Sequence, residues 1–121
     1  MAETPEREFS IDEEIEKIKA SSNDIGAIAI LVSVVRGGSH LEFECYDEMA
    51  QKRLREIEAE AIRKFDVIDA RITHRKGRMG SGENITFVMV AARHRKSCLE
   101  ACESCVAELK KGLAIWKEEI G

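Results

Sequence analysis

Hydrophobic and polar positions along this chain change their spacing several times, and each change predicts an element. Ser10 and Glu13 fit a capping box, and the isoleucines that follow recur at helical spacing, so a short helix is predicted through Ala20. The apolar run from Ile25 to Val35 predicts a buried strand. The paired glycines that follow permit a reversal into a second strand, Leu41 to Tyr46.

The second half of the chain alternates strands with longer helices. Asp47 is a candidate N-cap for a helix to about Lys64, because small and apolar residues recur there at helical spacing. Residues 67–74 alternate between apolar and polar, as a half-buried strand does, and residues 76–82 are glycine-rich and read as a loop. Residues 85–92 predict a further strand, and residues 96–111 a helix that Gly112 can end. This order predicts an α+β fold, with an antiparallel or mixed sheet and two to three helices.

Composition narrows the class of protein. The length of 121 residues predicts one domain over residues 9–121, after a flexible leader at residues 1–8. The net charge is −4. An acidic balance disfavours bulk binding to nucleic acid. The longest apolar run is far shorter than the roughly 20 residues that span a bilayer. The acidic leading residues do not resemble a signal peptide, so we expect a cytoplasmic protein with reduced thiols.

Cations surround the last predicted helix. His94 and Arg95 stand where a strand hands over to that helix, and backbone N–H groups at a helix N-terminus already favour an anion. Lys110 lies in the last turn, and the chain can turn back after Gly112 to bring Lys117 near it. This pattern indicates an anionic ligand with a lysine beside it, although a last-turn lysine is also common as a plain surface charge.

Arg36 is a further candidate for anion binding. It directly follows the predicted buried strand and precedes two glycines, so its guanidinium can lean over a site, where it suits bidentate contact with phosphate. Two simpler interpretations stay open. Arg36 can be merely solvated, and His94 can be a hydrogen-bonded core histidine at a strand end.

Three of the four cysteines share one predicted helix. Cys98, Cys102 and Cys105 have the spacing C-x3-C-x2-C, which also occurs in radical iron–sulfur enzymes. On a helix, however, the stretch from His94 to Cys105 spans about 16 Å, too far to wrap one metal. We therefore predict that the three thiols pack as small hydrophobic groups, as does Cys45. A thiol or metal-binding module is the weaker alternative.

The order and spacing of several short segments are together specific, although no single one is. They are Gly26-Ala27, Val35-Arg36, Leu41 to Tyr46 with Met49-Ala50, His74-Arg75-Lys76-Gly77, Gly82-Glu83, His94-Arg95, Leu109-Lys110 and Ile115-Trp116-Lys117-x-Glu119. Read together, from about Phe9 to Glu119, the chain resembles the large, catalytic subunit of molybdopterin synthase.

This resemblance implies an α/β-hammerhead arrangement and a sulfur-transfer activity. A small ubiquitin-like partner would supply sulfur as a C-terminal thiocarboxylate, and cyclic pyranopterin monophosphate would receive two sulfurs to form the molybdopterin dithiolene. Lys110 and Lys117 fall on the family's two active-site lysines, and Arg36, His94 and Arg95 on positions that hold the substrate. His74-Arg75 matches a further family motif, which we assign mainly to structure. The resemblance implies a homodimer within a heterotetramer, and no metal or cofactor.

A second hypothesis comes from a different class of protein. The loop after Arg36 is shorter than in most members of the family, which favours a non-catalytic homologue that binds the ubiquitin-like partner or a pterin as a scaffold. The presence of Lys110, Lys117 and Arg36 favours the enzyme instead.

Overall fold

The computed structural model of the chain describes Pro5 and residues 9–38, 40–112 and 115–120, with backbone alone at Cys45 and at residues 115–120. This part of the chain forms three helices and six strands, which confirms the α+β prediction. The helices are α1 (Ile11–Lys19), α2 (Asp47–Phe65) and α3 (Arg95–Leu109). The strands are β1 (Ala27–Val34), β2 (His40–Cys45), β3 (Asp69–His74), β4 (Gly77–Met79), β5 (Asn84–Ala92) and β6 (Ile115–Ile120).

The strands form two antiparallel sheets of three strands each, so neither sheet is mixed. The first sheet has the order β1-β5-β3, and the second has the order β4-β2-β6. The central strand β5 has six consecutive fully buried residues, from Phe87 to Ala92, because both faces of the first sheet are covered. Helices α2 and α3 pack on one face and α1 packs on the other.

The apolar run at residues 25–35 forms an edge strand rather than the buried strand that its composition predicts. β1 pairs with β5 on one side, and Leu31 and Val34 remain 41% and 47% exposed. An isoleucine- and valine-rich run is equally compatible with a sheet edge. Strand β1 therefore offers apolar side chains at the surface, next to α3.

Strand β4 lies within residues that the sequence predicted to be a loop, so that prediction was wrong at this point. Glycine and arginine have little intrinsic preference for strands, but residues 77–79 pair with residues 41–43 of β2. Met79 is fully buried and packs in a small core with Val35 and Phe43. Long-range pairing thus overrides local preference.

Helix ends agree with the sequence to within two residues, but the predicted cap of α2 is wrong. Tyr46 is the N-cap there, Asp47 is the first helical residue, and no side chain caps that end. The Glu13 N–H donates to Ser10 Oγ at 3.3 Å, which confirms the predicted cap of α1. Gly112, which follows α3, has φ of 128°, a conformation that favours glycine. Of the predicted leader, only Pro5 lies among the described residues, and its carbonyl accepts a hydrogen bond from the Lys76 N–H at 2.9 Å.

The three cysteines of α3 are buried in the main core, as predicted. Cys98 and Cys105 are 1% exposed and Cys102 is 8% exposed, and all three are free thiols. The Cys98 thiol donates to the Val90 carbonyl at 3.1 Å. These side chains therefore join α3 to β5. The side chain of Cys45 lies outside the described part of the structure.

Candidate functional site

A cavity of about 190 Å³ opens at the C-terminal end of α3. Its walls come from β1, β5, β3 and the last two turns of α3. The lining residues are Leu31, Ser33, His74, Thr86, Val88, Val106, Leu109 and Lys110. Lys110 is exposed and follows the last residue of the helix. The cavity therefore combines a largely apolar wall with one lysine at its solvent-facing side.

Three polar side chains lie in one row across the first sheet and line the cavity. Thr86 on β5 is opposite Ser33 on β1 and opposite His74 on β3. Directly opposed residues in a sheet have neighbouring side chains on the same face. The antiparallel register thus brings three residues from distant parts of the sequence together beneath Lys110.

His74 is the buried polar group of this row. Its residue is 8% exposed, and its Nδ1 lies 2.7 Å from the carbonyl oxygen of Arg75. Burial lowers the pKa of His74 below its ordinary value of 6.5, although the Arg75 carbonyl acts in the opposite direction. We therefore expect a neutral imidazole near pH 7.

The second sheet meets the first sheet at His74. The ring of Phe43 on β2 lies edge-on to the imidazole, with 5.0 Å between the ring centroids. Phe43 is opposite Lys117 in the register of β2 and β6. The backbone of Lys117 therefore lies one strand from the residue that contacts His74, and its side chain is outside the described part of the structure.

Arg36 lies at the same end of the first sheet as this cavity, two residues after β1. The residue before it is anchored on both sides, since the Val35 N–H donates to the Glu83 carbonyl and the Val35 carbonyl accepts from the Gly82 N–H. The distances are 3.0 and 2.8 Å. Arg36 itself is exposed and is not among the residues that line the cavity.

Buried Arg75 supports the loop that anchors Val35. Its guanidinium donates to the Asn84 carbonyl at 2.8 Å and to Glu83 Oε1 at 3.3 Å. The other carboxylate oxygen of Glu83 accepts from the Gly80 N–H at 2.6 Å. The Gly80 bond, followed by the Arg75 contact, holds the pKa of Glu83 below its usual value. Arg75 therefore connects the His74 backbone to the segment that presents Arg36.

His94 and Arg95 lie at the opposite end of α3 from Lys110. His94 is the residue before the helix, and the 16 positions to Lys110 correspond to roughly 24 Å. Both residues are exposed, so the interpretation of His94 as a core histidine is wrong. Within one chain, therefore, Arg36 and Lys110 lie toward one end of α3, and His94 and Arg95 lie at the other end.

At this exposed end of α3, the backbone at Gly26 packs directly against the backbone that precedes the helix. The Gly26 N–H donates to the Ala92 carbonyl at 2.9 Å, and a Cβ atom at Gly26 would collide with the Arg93 carbonyl oxygen. Arg93 in turn forms an ion pair with Asp24 at 3.2 Å. Glycine is therefore required before β1 for His94 and Arg95 to start the helix where they do.

The three cysteines of α3 do not add a reactive group to either end of that helix. Burial raises the pKa of Cys98, Cys102 and Cys105, and that of Cys105 rises to about 12. A thiolate is the form that attacks or binds metal, and these values keep the thiols protonated. Within the described ranges no group of three or more His, Cys, Asp or Glu side chains could hold a metal ion.

His74 is a cavity residue that the sequence analysis did not include among the candidates. We assigned the His74-Arg75 motif mainly to structure, and Arg75 does have that role. His74, however, lines the cavity beside Lys110. The available signal was its position as the last residue of a strand, since binding side chains concentrate where regular elements end.

Comparisons with known proteins agree with the resemblance seen in the sequence. A family model described as "MoaE protein" matches residues 4–112. The molybdopterin synthase catalytic subunit of Pyrococcus abyssi is 40% identical over 119 residues, covering 93% of this chain and 79% of that protein.

Solved structures show the same fold. The molybdopterin biosynthesis MoaE protein of Burkholderia ambifaria has a TM-score of 0.91 and 33% identity, covering 97% of this chain and 81% of that one. Molybdopterin synthase from Staphylococcus aureus has a TM-score of 0.89 and 26% identity, covering 97% and 88%. With the family model spanning most of its length, this chain belongs to the MoaE family, the catalytic subunits of molybdopterin synthase.

Proposed function

We propose that this chain transfers sulfur from a thiocarboxylated ubiquitin-like small subunit to cyclic pyranopterin monophosphate, and so forms the molybdopterin dithiolene. The observation that carries the proposal is the position of Lys110 over a cavity with apolar walls and a polar row beneath. The resemblance of the sequence, which implies that Lys110 is one of the family's two active-site lysines, supports the same assignment.

Lys110 is the residue to which we assign the sulfur-transfer step. Its ammonium can stabilise the negative charge that develops on the thiocarboxylate carbonyl during transfer, and a cation acts more strongly beside apolar walls than in bulk water. Lys117 would support it, since the backbone register places it near Phe43 and His74. The C-terminal tail of the small subunit would bring its carbonyl to this lysine.

Arg36, His94 and Arg95 would hold the anionic substrate, and we propose that they do so across two copies of the chain. A second copy related by a two-fold axis that lies beside α3 and perpendicular to it would run its helix antiparallel to the first. Its His94 and Arg95 would then lie near Lys110 and Arg36 of the first copy. Such an isologous contact uses the same surface on both partners.

The surface beside α3 has the character that such a contact needs. Strand β1 is a sheet edge, and a groove of about 410 Å³ lies between β1 and α3. Leu31 and Leu99 line this groove and are 41% and 61% exposed. Exposed apolar residues around one groove favour a protein contact.

The proposed site of action is the cytoplasm, where buried free thiols such as those of α3 are stable. Across the described residues, no helix combines the length and apolar character needed to cross a bilayer.

The competing function is a non-catalytic scaffold that binds the small subunit or a pterin. The short loop after Arg36 supports it, whereas the cavity with Lys110 supports the enzyme. Mixing the purified chain with a thiocarboxylated small subunit and the precursor, then assaying dithiolene formation, separates the two. Dithiolene formation at rates proportional to the chain's concentration supports the enzyme. Stable association without product would overturn it.

A further inference from the structure

We propose that His74 contacts the substrate directly: Nε2 of its imidazole accepts a hydrogen bond from an N–H or O–H group of the pterin bound in the Lys110 cavity. This inference rests on the proposed function and adds to it a recognition group and an orientation for the substrate.

The hydrogen bond at the other ring nitrogen determines which tautomer is present. Nδ1 lies 2.7 Å from the Arg75 carbonyl oxygen, which can only accept. Nδ1 therefore carries the proton, and in the neutral ring Nε2 presents a lone pair. No hydrogen-bond partner of Nε2 exists among the described residues, while His74 lines the cavity. Nε2 is thus the acceptor that a bound molecule can meet.

Packing holds the ring in this orientation. Phe43 lies against it at an interplanar angle of 70°, and His74 is the last residue of β3, paired with Thr86. Burial of the residue keeps the ring neutral, since few waters can solvate an imidazolium there. A fixed neutral imidazole is a selective acceptor, because leaving it unpaired opposite a ligand without a donor costs free energy.

The polar groups of the cavity differ in what they recognise. Lys110 only donates, His74 Nε2 only accepts, and the hydroxyls of Ser33 and Thr86 can do both. A ligand that suits this set carries an acceptor toward Lys110 and a donor toward His74. A pterin ring offers both, whereas the cyclic phosphate of the precursor, a diester monoanion, offers acceptors alone. We therefore infer that the ring enters this cavity and that the phosphate points to the exposed arginines.

Two substitutions separate the two nitrogens of the ring. His74→Asn keeps a side-chain N–H near the position of Nδ1 and loses the acceptor at Nε2. His74→Gln places its amide oxygen near the position of Nε2 and loses the short contact with Arg75. We expect the Asn variant to bind the precursor about tenfold more weakly than wild type, and the Gln variant to stay within about threefold. His40→Asn, an exposed histidine outside the cavity, is the control and should bind normally.

Calorimetric titration with cyclic pyranopterin monophosphate, and with inorganic phosphate as a separate probe, gives these affinities. Phosphate affinity should be the same in wild type and in all three variants. Unchanged precursor affinity in the Asn variant would overturn the role of His74 and leave the proposed function standing. Failure of wild type to bind the precursor would overturn both.

A measurement on the wild-type chain covers the case in which a variant does not fold. The ¹⁵N resonances of the His74 imidazole should show a protonated Nδ1 and an unprotonated Nε2. The Nε2 resonance should shift when the precursor is added, because it gains a hydrogen bond. A protonated Nε2 in the free chain, or a resonance that does not respond to bound precursor, would contradict the proposal.

Discussion

The two ends of helix α3 belong to the same element and yet differ in almost every physical respect. The C-terminal end borders a cavity in which Lys110 stands above the buried ring of His74. The N-terminal end presents four consecutive exposed cations or potential cations, from Arg93 to Lys96. One end is concave and mostly apolar, and the other is exposed and basic.

This difference separates stabilisation of the reacting atoms from binding of the anion, two tasks that the sequence pattern assigned to one place. A lysine at the rim of an apolar cavity can stabilise charge at a reacting atom inside it, because the cavity walls exclude part of the screening water. Exposed arginines at a helix N-terminus can attract and hold a phosphate, but water and salt screen their charges. We infer that the chain reacts at one end of α3, holds anions at the other end, and needs a second copy to combine them.

Removing the lysine of the concave end should have the largest effect. We expect Lys110→Ala to lower the rate of dithiolene formation at least about 100-fold, since it removes the charge that stabilises the transfer step. The melting temperature should change little, because Lys110 is exposed. Lys111→Ala is the matched control, an adjacent exposed lysine paired with Glu108 at 2.6 Å. Near-normal rates in the Lys110 variant would remove this assignment.

Mixing variants tests whether the two ends act in different copies. Arg95→Ala should weaken precursor binding by roughly 10- to 100-fold through loss of a charged hydrogen bond. If each site combines the ends of two chains, unfolding and refolding Lys110→Ala with Arg95→Ala should restore about a quarter of wild-type activity.

Each mixed dimer then contains one intact site and one site with both changes. Arg93→Ala is the control for the exposed end, since Arg93 pairs with Asp24. Activity of the mixture no higher than that of either variant alone would show that the ends do not combine between copies.

Between the two ends, the cysteine face of α3 should matter for stability and not for chemistry. Replacing Cys98, Cys102 and Cys105 together by Ala should lower the free energy of unfolding by roughly 2–4 kcal/mol, because cavities form in the core. The rate of dithiolene formation at a temperature where the variant is folded should stay near that of wild type. Loss of activity in a folded variant would give the thiols a role beyond packing.

Acid should weaken the concave end through His74. Its pKa is below 6.5 in the folded chain, so the unfolded chain binds more protons just below that pH. The free energy of unfolding should therefore fall as the pH is lowered from 6.5 toward the depressed pKa, and level off below it. Denaturation curves across this range should show a flatter pH dependence for His74→Asn than for wild type. The same slope in both chains would contradict this expectation.

Most elements of the fold follow from local sequence. The Ser10 cap and the helical spacing of α2 could be predicted because they depend on neighbours within four positions. The end of α3 near Gly112 could be predicted because few residues other than glycine adopt a positive φ. Strand β4 and the edge position of β1 could not, since both depend on which distant strand pairs with them.

By itself, the sequence determined the class of fold, the family and the presence of Lys110, Arg36, His94 and Arg95 as candidates, because these depend on residue type, order and spacing. The tertiary structure alone decided which of them are neighbours. The register of β1, β5 and β3 brought His74 beneath Lys110, and the length of α3 kept His94 and Arg95 away from both. A helix rises 1.5 Å per residue, so closeness in sequence along it becomes distance in space, whereas sheet pairing joins residues that the sequence separates.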